Sequence, residues 1–171
     1  VRSRRAGERV MASVERFLNR RLKLTLNREK SRVARSWVCD YLGYGMSWHQ
    51  RPRLRVATMS LGRLRDRLRE LLRGARGCKM ANVIERINPV LRGWAGYFKL
   101  SQSKRPLEEL DGWVRHKLRC VIWRQWKLPS TRARNLMRLG LDEARACKSA
   151  FNGRGPWWNS GAPPVHQVLP K

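Results

Sequence analysis

The feature of this chain that most constrains its fold is a large excess of positive charge. Its 171 residues include 39 lysines and arginines against 12 aspartates and glutamates, a formal net charge of +27. Self-repulsion among these charges opposes a compact state unless a polyanion neutralises them. The classes of partner that fit are nucleic acid, an anionic membrane and an acidic protein.

High net charge can also prevent folding, so disorder is the alternative interpretation. The hydrophobic content of 42% and the eight tryptophans argue against disorder, because the aromatic residues fall at helical spacing. No segment approaches the run of about 18 apolar residues that a membrane span needs. The opening Val1-Arg2-Ser3-Arg4-Arg5 has no apolar segment behind it, as a signal peptide would, and it lacks Met, so we expect a fragment with missing upstream sequence.

The cysteines and histidines do not form a metal-binding pattern. Zinc sites need closely spaced pairs of ligands, whereas the four cysteines are far apart, at Cys39, Cys78, Cys120 and Cys147. The histidines do not complete such pairs; they are His49, His116 and His166. We predict reduced, mostly buried cysteines in a cytosolic protein and no metal site in this chain.

The first part of the chain is typical of a helix followed by short strands. Apolar residues recur at helical spacing over residues 5–21. The alternation in residues 22–26 predicts a strand, and residues 33–38 and 41–48 predict two more. An α+β segment this short cannot easily close a core of its own.

From about residue 57 onward the pattern predicts helices. A leucine stripe capped by Ser60 gives the first of them, and a second runs over residues 80–86. Asn88 and Pro89 would start a third over residues 89–99. The longest covers residues 107–126 and ends before Pro129; a short helix capped by Ser130 or Thr131 and another over residues 141–151 follow. The tail from Asn152 is rich in Gly, Pro and Trp, which predicts irregular structure.

Four motifs occur in order along the chain, at residues 24–31, 41–44, 87–98 and 153–158. Together they resemble group II intron reverse transcriptases, also called maturases. Residues 24–31 (LTLNREKS) and 41–44 (YLGY) resemble the end of the polymerase palm and the hairpin that follows it. Residues 87–98 (INPVLRGWAGYF) resemble the core motif of the maturase-specific domain, and residues 153–158 (GRGPWW) resemble its terminal motif.

The resemblance implies a mostly α fold with two parts. Residues 1–56 would be a C-terminal remnant of a reverse-transcriptase palm, a helix plus short strands. Residues 57–171 would be a helical thumb and maturase-specific RNA-binding domain. The implied function is to bind group II intron RNA and assist its folding and splicing, within a mobile genetic element of the bacterial cytoplasm. In the full-length protein, the domain would also clamp an RNA template and DNA primer for reverse transcription.

The catalytic Tyr-Ala-Asp-Asp motif of that family is not found in this sequence. Polymerase chemistry needs paired carboxylates that hold two Mg²⁺ ions, so we expect no cofactor in this chain and Mg²⁺ only in the full-length polymerase. Three alternatives remain open. The chain could be part of an active RNA-directed DNA polymerase whose catalytic half is missing here, a non-functional truncated remnant, or a non-specific cationic binder. The oligomeric state stays undetermined.

Two sites in the first part follow from the resemblance. Lys30 would lie near the phosphates of the incoming nucleotide, where its ammonium could neutralise or protonate the leaving pyrophosphate. The alternative is a solvated lysine on a loop. Tyr41, Gly43 and Tyr44 would form a primer-grip hairpin, in which Gly43 lets the backbone approach a nucleic-acid strand. Asn27 is predicted to bond nearby backbone in a turn.

The basic helix faces carry the binding hypothesis, because acidic residues are too few to neutralise them. Arginine also outnumbers lysine, and its planar fork matches phosphate oxygens and stacks on bases. The predicted nucleic-acid contacts on these faces and in the tail are Arg63, Arg67, Arg69, Arg73, Arg92, Arg115, Arg119, Arg124, Lys127, Arg132, Arg134 and Arg154.

The aromatic residues are predicted to be mostly core. Trp94, Tyr97 and Phe98 share a helix face with apolar neighbours, which favours packing over base stacking. The same holds for Trp113 and Trp126, whereas Trp123 lies off the apolar stripe and is predicted to be more exposed. Trp157 and Trp158 are predicted to fold back and cap the helical domain, with an RNA-docking loop as the alternative.

Overall fold

Helices form most of the structure because apolar residues recur at intervals of three and four along the chain. The computed structural model describes residue 1 and residues 3–48 and 50–169, with the backbone alone at Arg76. The chain divides into two units, Val1–Arg55 and Val56–Lys171. The predicted mostly α fold is confirmed. None of the described helices is both long enough and apolar enough to cross a membrane.

The first unit contains one long helix and part of a small sheet. Helix α1 (Arg4–Phe17) begins after Ser3, whose hydroxyl accepts a hydrogen bond from the backbone N–H of Ala6 at 3.2 Å. A π-helical segment, Leu18–Leu22, continues it. Strands β1 (Tyr44–Met46) and β2 (Leu54–Val56) pair in a two-stranded sheet.

The predicted strands over residues 22–26 and 33–38 are wrong. The π-helical segment ends at Lys23, whose φ of 54° lies in the left-handed region, and residues 23–27 follow without regular structure. An alternating pattern becomes a strand only when a neighbour accepts its backbone hydrogen bonds, and the structure describes none beside these residues. The third predicted strand, over residues 41–48, forms only in part, as β1. The sequence pattern did not predict its partner β2.

The second unit is a set of seven helices over its described residues. They are α2 (Thr58–Arg73), α3 (Met80–Tyr97), α4 (Arg105–Gln125), α5 (Pro129–Arg138), α6 (Glu143–Ala150), α7 (Pro156–Gly161) and α8 (Pro163–Val168), with a 3-10 turn at Ala75–Gly77. The longest predicted helix is confirmed as α4.

The first core cluster of this unit lies among α2, α3 and one face of α4. The leucine stripe of α2 is buried at Leu64, Leu68 and Leu72 and packs with residues of the other two helices. These partners are Val83, Ile87, Leu110, Val114 and Val121, together with Ala75 of the 3-10 turn. The side-chain amide of Gln125 then joins α4 to that turn, because its Nε2 donates to the carbonyls of Ala75 at 3.1 Å and Cys78 at 2.8 Å.

The second core cluster gathers the end of α4 with α5, α6 and α8. Its centre is Trp123, which is 1% exposed and packs with Leu136, Leu141, Ala146, Val165 and Val168. The prediction that Trp123 is more exposed is therefore wrong. Trp123 lies off the stripe that faces the first cluster because it faces a second one, built by helices that follow α4 in the sequence.

Three predicted helix boundaries are also wrong. Helix α3 runs through Pro89 without a break, because residues on both sides of Pro89, such as Ile87 and Trp94, pack against the first cluster. A proline inside a helix costs about 3 kcal/mol, which this shared packing offsets. Ser60 lies inside α2, whose N-cap is Ala57, and α5 starts with Pro129 in its first turn after Leu128.

The tail is helical rather than irregular. Prolines at the starts of α7 and α8 fit the first turn of a helix, where the missing N–H has no partner to lose. Val165 of α8 is fully buried in the second cluster. Short helices whose stability comes from distant packing leave little periodic signal in their own sequence.

The burial of Trp123 gives a stability prediction. Trp123→Ala should lower the free energy of unfolding by about 3–5 kcal/mol, since it removes a fully buried aromatic side chain and leaves a cavity. Urea unfolding of the full chain, followed by circular dichroism, measures this change. Phe151→Ala is the matched control, because Phe151 is exposed on the same unit and its loss should change stability by about 0.5 kcal/mol or less. Equal effects of the two substitutions would contradict the assigned core.

Candidate nucleic-acid interface

Ion pairs neutralise only a small part of the positive charge. On the helical unit, arginines pair with acidic residues one turn away, as in Arg67–Glu70 at 3.1 Å and Arg115–Asp111 at 2.7 Å. Such solvent-exposed pairs contribute about 0–1 kcal/mol each. Even if every acidic residue of the chain formed a pair, 27 positive charges would remain. The surface is therefore strongly electropositive whatever the local pairing.

Several predicted contacts are exposed and make no described side-chain hydrogen bond or ion pair. They occur on four helices and on the segment after α4: Arg63 and Arg73 on α2, Arg92 on α3, Arg124 on α4, Lys127 after it, and Arg134 on α5. A free guanidinium can offer its whole fork to phosphate oxygens. Of the predicted contacts on the unit, these residues are the most accessible to a phosphate.

Three other predicted contacts, of which Arg67 and Arg69 are exposed and Arg115 is half-buried, already form ion pairs. Arg67, Arg69 and Arg115 each pair with a carboxylate on the same helix, and the Arg69 guanidinium also lies 5.5 Å from the ring centroid of Trp113. An RNA phosphate would have to compete with these carboxylates. We rank these three arginines below the unpaired ones.

Arg119 does not fit its predicted role as a nucleic-acid contact, because it is only 7% exposed. Its Nε donates to the carbonyl of Ser160 at 3.0 Å and so joins α4 to α7. Burial, with a smaller contribution from the nearby charge of Arg115, lowers the pKa of Arg119 from its ordinary value. A basic helix carries many arginines, and the sequence alone does not show which of them a distant segment of the chain will bury.

Arg132, another predicted nucleic-acid contact, also makes contacts within the helical unit. It is half-buried, and its Nε donates to the carbonyl of Trp126 at 2.8 Å, just after the end of α4. Its guanidinium lies 5.1 Å from the ring centroid of Trp123. A cation at a helix C-terminus interacts favourably with the unpaired carbonyls there, so Arg132 stabilises the junction of α4 and α5.

The predicted hairpin of the first unit is a tight two-residue turn. The backbone N–H groups of Tyr41 and Tyr44 donate to each other's carbonyls at 2.7 and 2.9 Å. Leu42 and Gly43 between them have φ of 50° and 79°, which is typical of a type I′ turn. The Tyr41 side chain is 77% exposed at this turn, and could therefore contact a ligand.

Lys30 lies in a turn on the surface of the first unit. Its backbone N–H donates to Oδ1 of Asn27 at 3.0 Å, which confirms the predicted role of Asn27 in a local turn. The Lys30 side chain is exposed. Over the residues that the structure describes, no group of three or more His, Cys, Asp or Glu side chains is arranged to hold a metal ion.

The cysteines are unpaired thiols. Cys120 is buried, whereas Cys39, Cys78 and Cys147 are half-buried. The aromatic residues around the end of α3 contact one another: the ring centroids of Trp94 and Phe98 lie 4.6 Å apart, and Tyr97 meets Phe98 edge to face at 4.8 Å. Phe98 is buried in agreement with its predicted packing role, whereas Tyr97 packs on Phe98 but leaves 55% of its surface exposed.

A cluster that sequence reasoning did not identify lies where α7 meets α4. The rings of His116 and Trp157 stack with their centroids 3.7 Å apart and an angle of 13° between their planes. The Nε2 of His116 also lies 2.8 Å from the carbonyl oxygen of Trp157. These residues are 41 positions apart, so no local pattern could have paired them.

Two cations complete this cluster. Lys117 Nζ lies 4.6 Å from the ring centroid of Trp157, and Arg154 Cζ lies 4.2 Å from that of Trp158. We call the five residues His116, Lys117, Arg154, Trp157 and Trp158 the aromatic–cation surface. Trp157 and Trp158 are 46% and 48% exposed. The tail does fold back, as predicted: Trp157 stacks on His116 of α4, and buried Asn159, Ser160 and Val165 also anchor the tail.

One comparison with known proteins finds a match within the helical unit. Residues 61–140 match the family model of the group II intron maturase-specific domain. A search of curated proteins finds no match for the chain. The matched range begins inside α2 and ends just after α5, so it contains the unpaired arginines of α2 to α5.

Two arginines of α4 separate a folding role from a binding role. Arg119→Gln should destabilise the full chain by about 1.5–3 kcal/mol, because it removes a buried charged hydrogen bond. Arg124→Gln should leave the free energy of unfolding within about 0.5 kcal/mol. For RNA binding the order should reverse, with Arg124→Gln lowering the slope of log affinity against log salt by about 0.7–0.9. Urea unfolding and filter binding measure the two effects; a change in salt slope only for Arg119→Gln would contradict the assignment.

Proposed function

We propose that this chain, which carries a group II intron maturase-specific domain, binds the RNA of its parent intron and assists the folding and splicing of that RNA. The observation that supports this most strongly is the overlap of the matched range with exposed, unpaired arginines on four helices. The domain family points to an intron RNA, and the charge of the surface suits a densely folded polyanion.

The mechanism that we propose is electrostatic. A folded intron brings phosphates close together, and their mutual repulsion opposes compaction. Cations fixed on a rigid helical unit would neutralise those phosphates only where the RNA is compact. A ligand that binds the folded state alone stabilises that state by mass action, and the affinity should fall steeply as salt rises.

Specificity would come from the spacing of the arginines rather than from base reading. Phosphate contacts position a protein on nucleic acid but carry no sequence information of their own. Arg124 and Lys127 lie around the end of α4, and Arg134 follows on α5, which packs in the second core cluster. Because a packed core holds these elements, their charges present a fixed pattern. RNA of one shape would satisfy that pattern and another would not.

A second function is favoured by the hairpin of the first unit. The turn at Leu42 and Gly43 has positive φ at both residues, and the exposed Tyr41 side chain flanks it. In a full-length reverse transcriptase, such a hairpin would contact a primer strand, and the helical domain would clamp the template–primer duplex. Lys30 would then lie near the nucleotide phosphates. Mg²⁺ and the catalytic carboxylates would come from the rest of that polymerase.

Filter binding tests the maturase function. The full chain should bind a group II intron RNA at least about tenfold more tightly, or about 1.4 kcal/mol, than an unrelated structured RNA of equal length at physiological salt. Both affinities should fall as salt rises, because both include phosphate contacts. Equal affinities for the two RNAs would reject the maturase function and leave only a basic binder.

Primer extension tests the polymerase alternative. We expect the chain alone to extend no primer on an RNA template with Mg²⁺ and deoxynucleotides, because its sequence has no paired-aspartate motif of the family. A complete group II intron reverse transcriptase serves as the positive control in the same buffer. Robust DNA synthesis by this chain would show that our assignment of the catalytic carboxylates to other sequence is wrong.

A further inference from the structure

We propose that the aromatic–cation surface binds an unpaired RNA base, which stacks on the indole of Trp158 while Arg154 and Lys117 contact the adjoining phosphates. The inference rests on the proposed function, since it presumes an RNA partner. It adds a site for single-stranded RNA outside the matched range, because α7 follows residue 140.

The exposure of the two tryptophans is the first observation. Large aromatic side chains on a stable unit are normally buried, as Trp123 is. Trp157 and Trp158 instead leave almost half of their surface to solvent, although Asn159 and Ser160, which follow them on the same helix, are buried. Exposed apolar surface next to polar groups commonly marks a binding site.

The rigidity of the surface is the second observation. The stacked ring of His116 and the contact between its Nε2 and the Trp157 carbonyl hold α7 against α4. The loop before α7 is fixed by Asn159, whose Nδ2 donates to the carbonyl of Arg154 at 2.8 Å. Asn152 Nδ2 donates to Asn159 Oδ1 at 2.7 Å on the same loop. A preorganised platform loses little conformational entropy when a ligand binds.

The placement of the cations is the third observation, and it favours RNA over other partners. Arg154 lies on one side of the Trp158 ring, and the described residues place no second ring or cation over that indole. A base can stack on an aromatic face while neighbouring arginine or lysine contacts the backbone, which is the usual design of single-strand sites. A membrane would need a broad apolar face, whereas here each indole carries a cation.

The test compares two RNAs and four variants of the full chain with the wild type. The RNAs are a hairpin with an unpaired loop and a fully paired duplex of the same length. Trp158→Ala should weaken binding to the hairpin by about 5- to 150-fold, the range for loss of one stacked base, and binding to the duplex by less than about twofold. The salt slope should stay unchanged, because no charge is removed.

Two further substitutions of Trp158 and one control variant keep the test decisive. Trp158→Phe should recover most of the hairpin affinity, since it restores an aromatic face. Trp158→Leu keeps apolar volume without a ring, so it should behave as Trp158→Ala even if the alanine variant is less stable. Phe151→Ala, which removes another exposed aromatic residue of the unit, should change neither affinity.

Unchanged hairpin affinity in Trp158→Leu, or equal weakening for hairpin and duplex, would overturn the stacking site. If Trp158→Leu lost binding to anionic vesicles while its RNA binding stayed intact, that result would also overturn the stacking site, in favour of a membrane site. Failure of the maturase function is a separate outcome, because it shows in the wild-type chain as equal affinity for intron and unrelated RNA.

Discussion

The burial of α4 on two sides is the interaction on which the helical unit depends. Leu110, Val114 and Val121 pack into the first core cluster, and Trp123 packs into the second. The helices before α4 contact one cluster, and the helices after it contact the other. Removing either set of contacts would leave one group of helices without a core, because short helices are not stable alone in water.

This packing also has to accommodate the large positive charge of the chain. Buried positions are mostly apolar, so the basic residues lie mainly at the surface; among the described side chains, Arg119 is the one basic side chain that is buried. Its lowered pKa reflects the cost of holding a guanidinium away from water. The remaining cations repel each other in the free protein. A polyanion that neutralised them would relieve this repulsion, so binding and stability should be coupled.

The sequence was sufficient to predict the mostly α fold, the longest helix and the likeness of residues 61–140 to the maturase-specific domain, because each depends on patterns within one segment. The leucine stripe of α2 and the motif at residues 87–98 are such patterns. Contacts between distant segments were not predictable in this way. Trp123 was predicted to be exposed because its partners belong to helices that follow α4, and α3 was divided at Pro89 because its packing on both sides could not be seen.

In the candidate site, too, local features could be predicted from the sequence and contacts between distant segments could not. Charge and spacing correctly indicated a basic surface, but they could not separate Arg124, which is exposed, from Arg119, which α7 covers. The stacking of His116 on Trp157 joins two helices that are far apart in the sequence. The two tryptophans of the motif at residues 153–158 were the one available signal. The sequence pattern favoured a packing role for them over an RNA-docking loop.

Photo-crosslinking of the full chain to a group II intron RNA, with the attached peptides identified by mass spectrometry, tests the central claim most directly. The account predicts crosslinks on the helical unit at the peptides that carry Arg124, Arg134 and Trp158, and these crosslinks should be lost when unlabelled intron RNA competes. Crosslinks confined to the first unit, or crosslinks that unrelated RNA removes equally well, would contradict it.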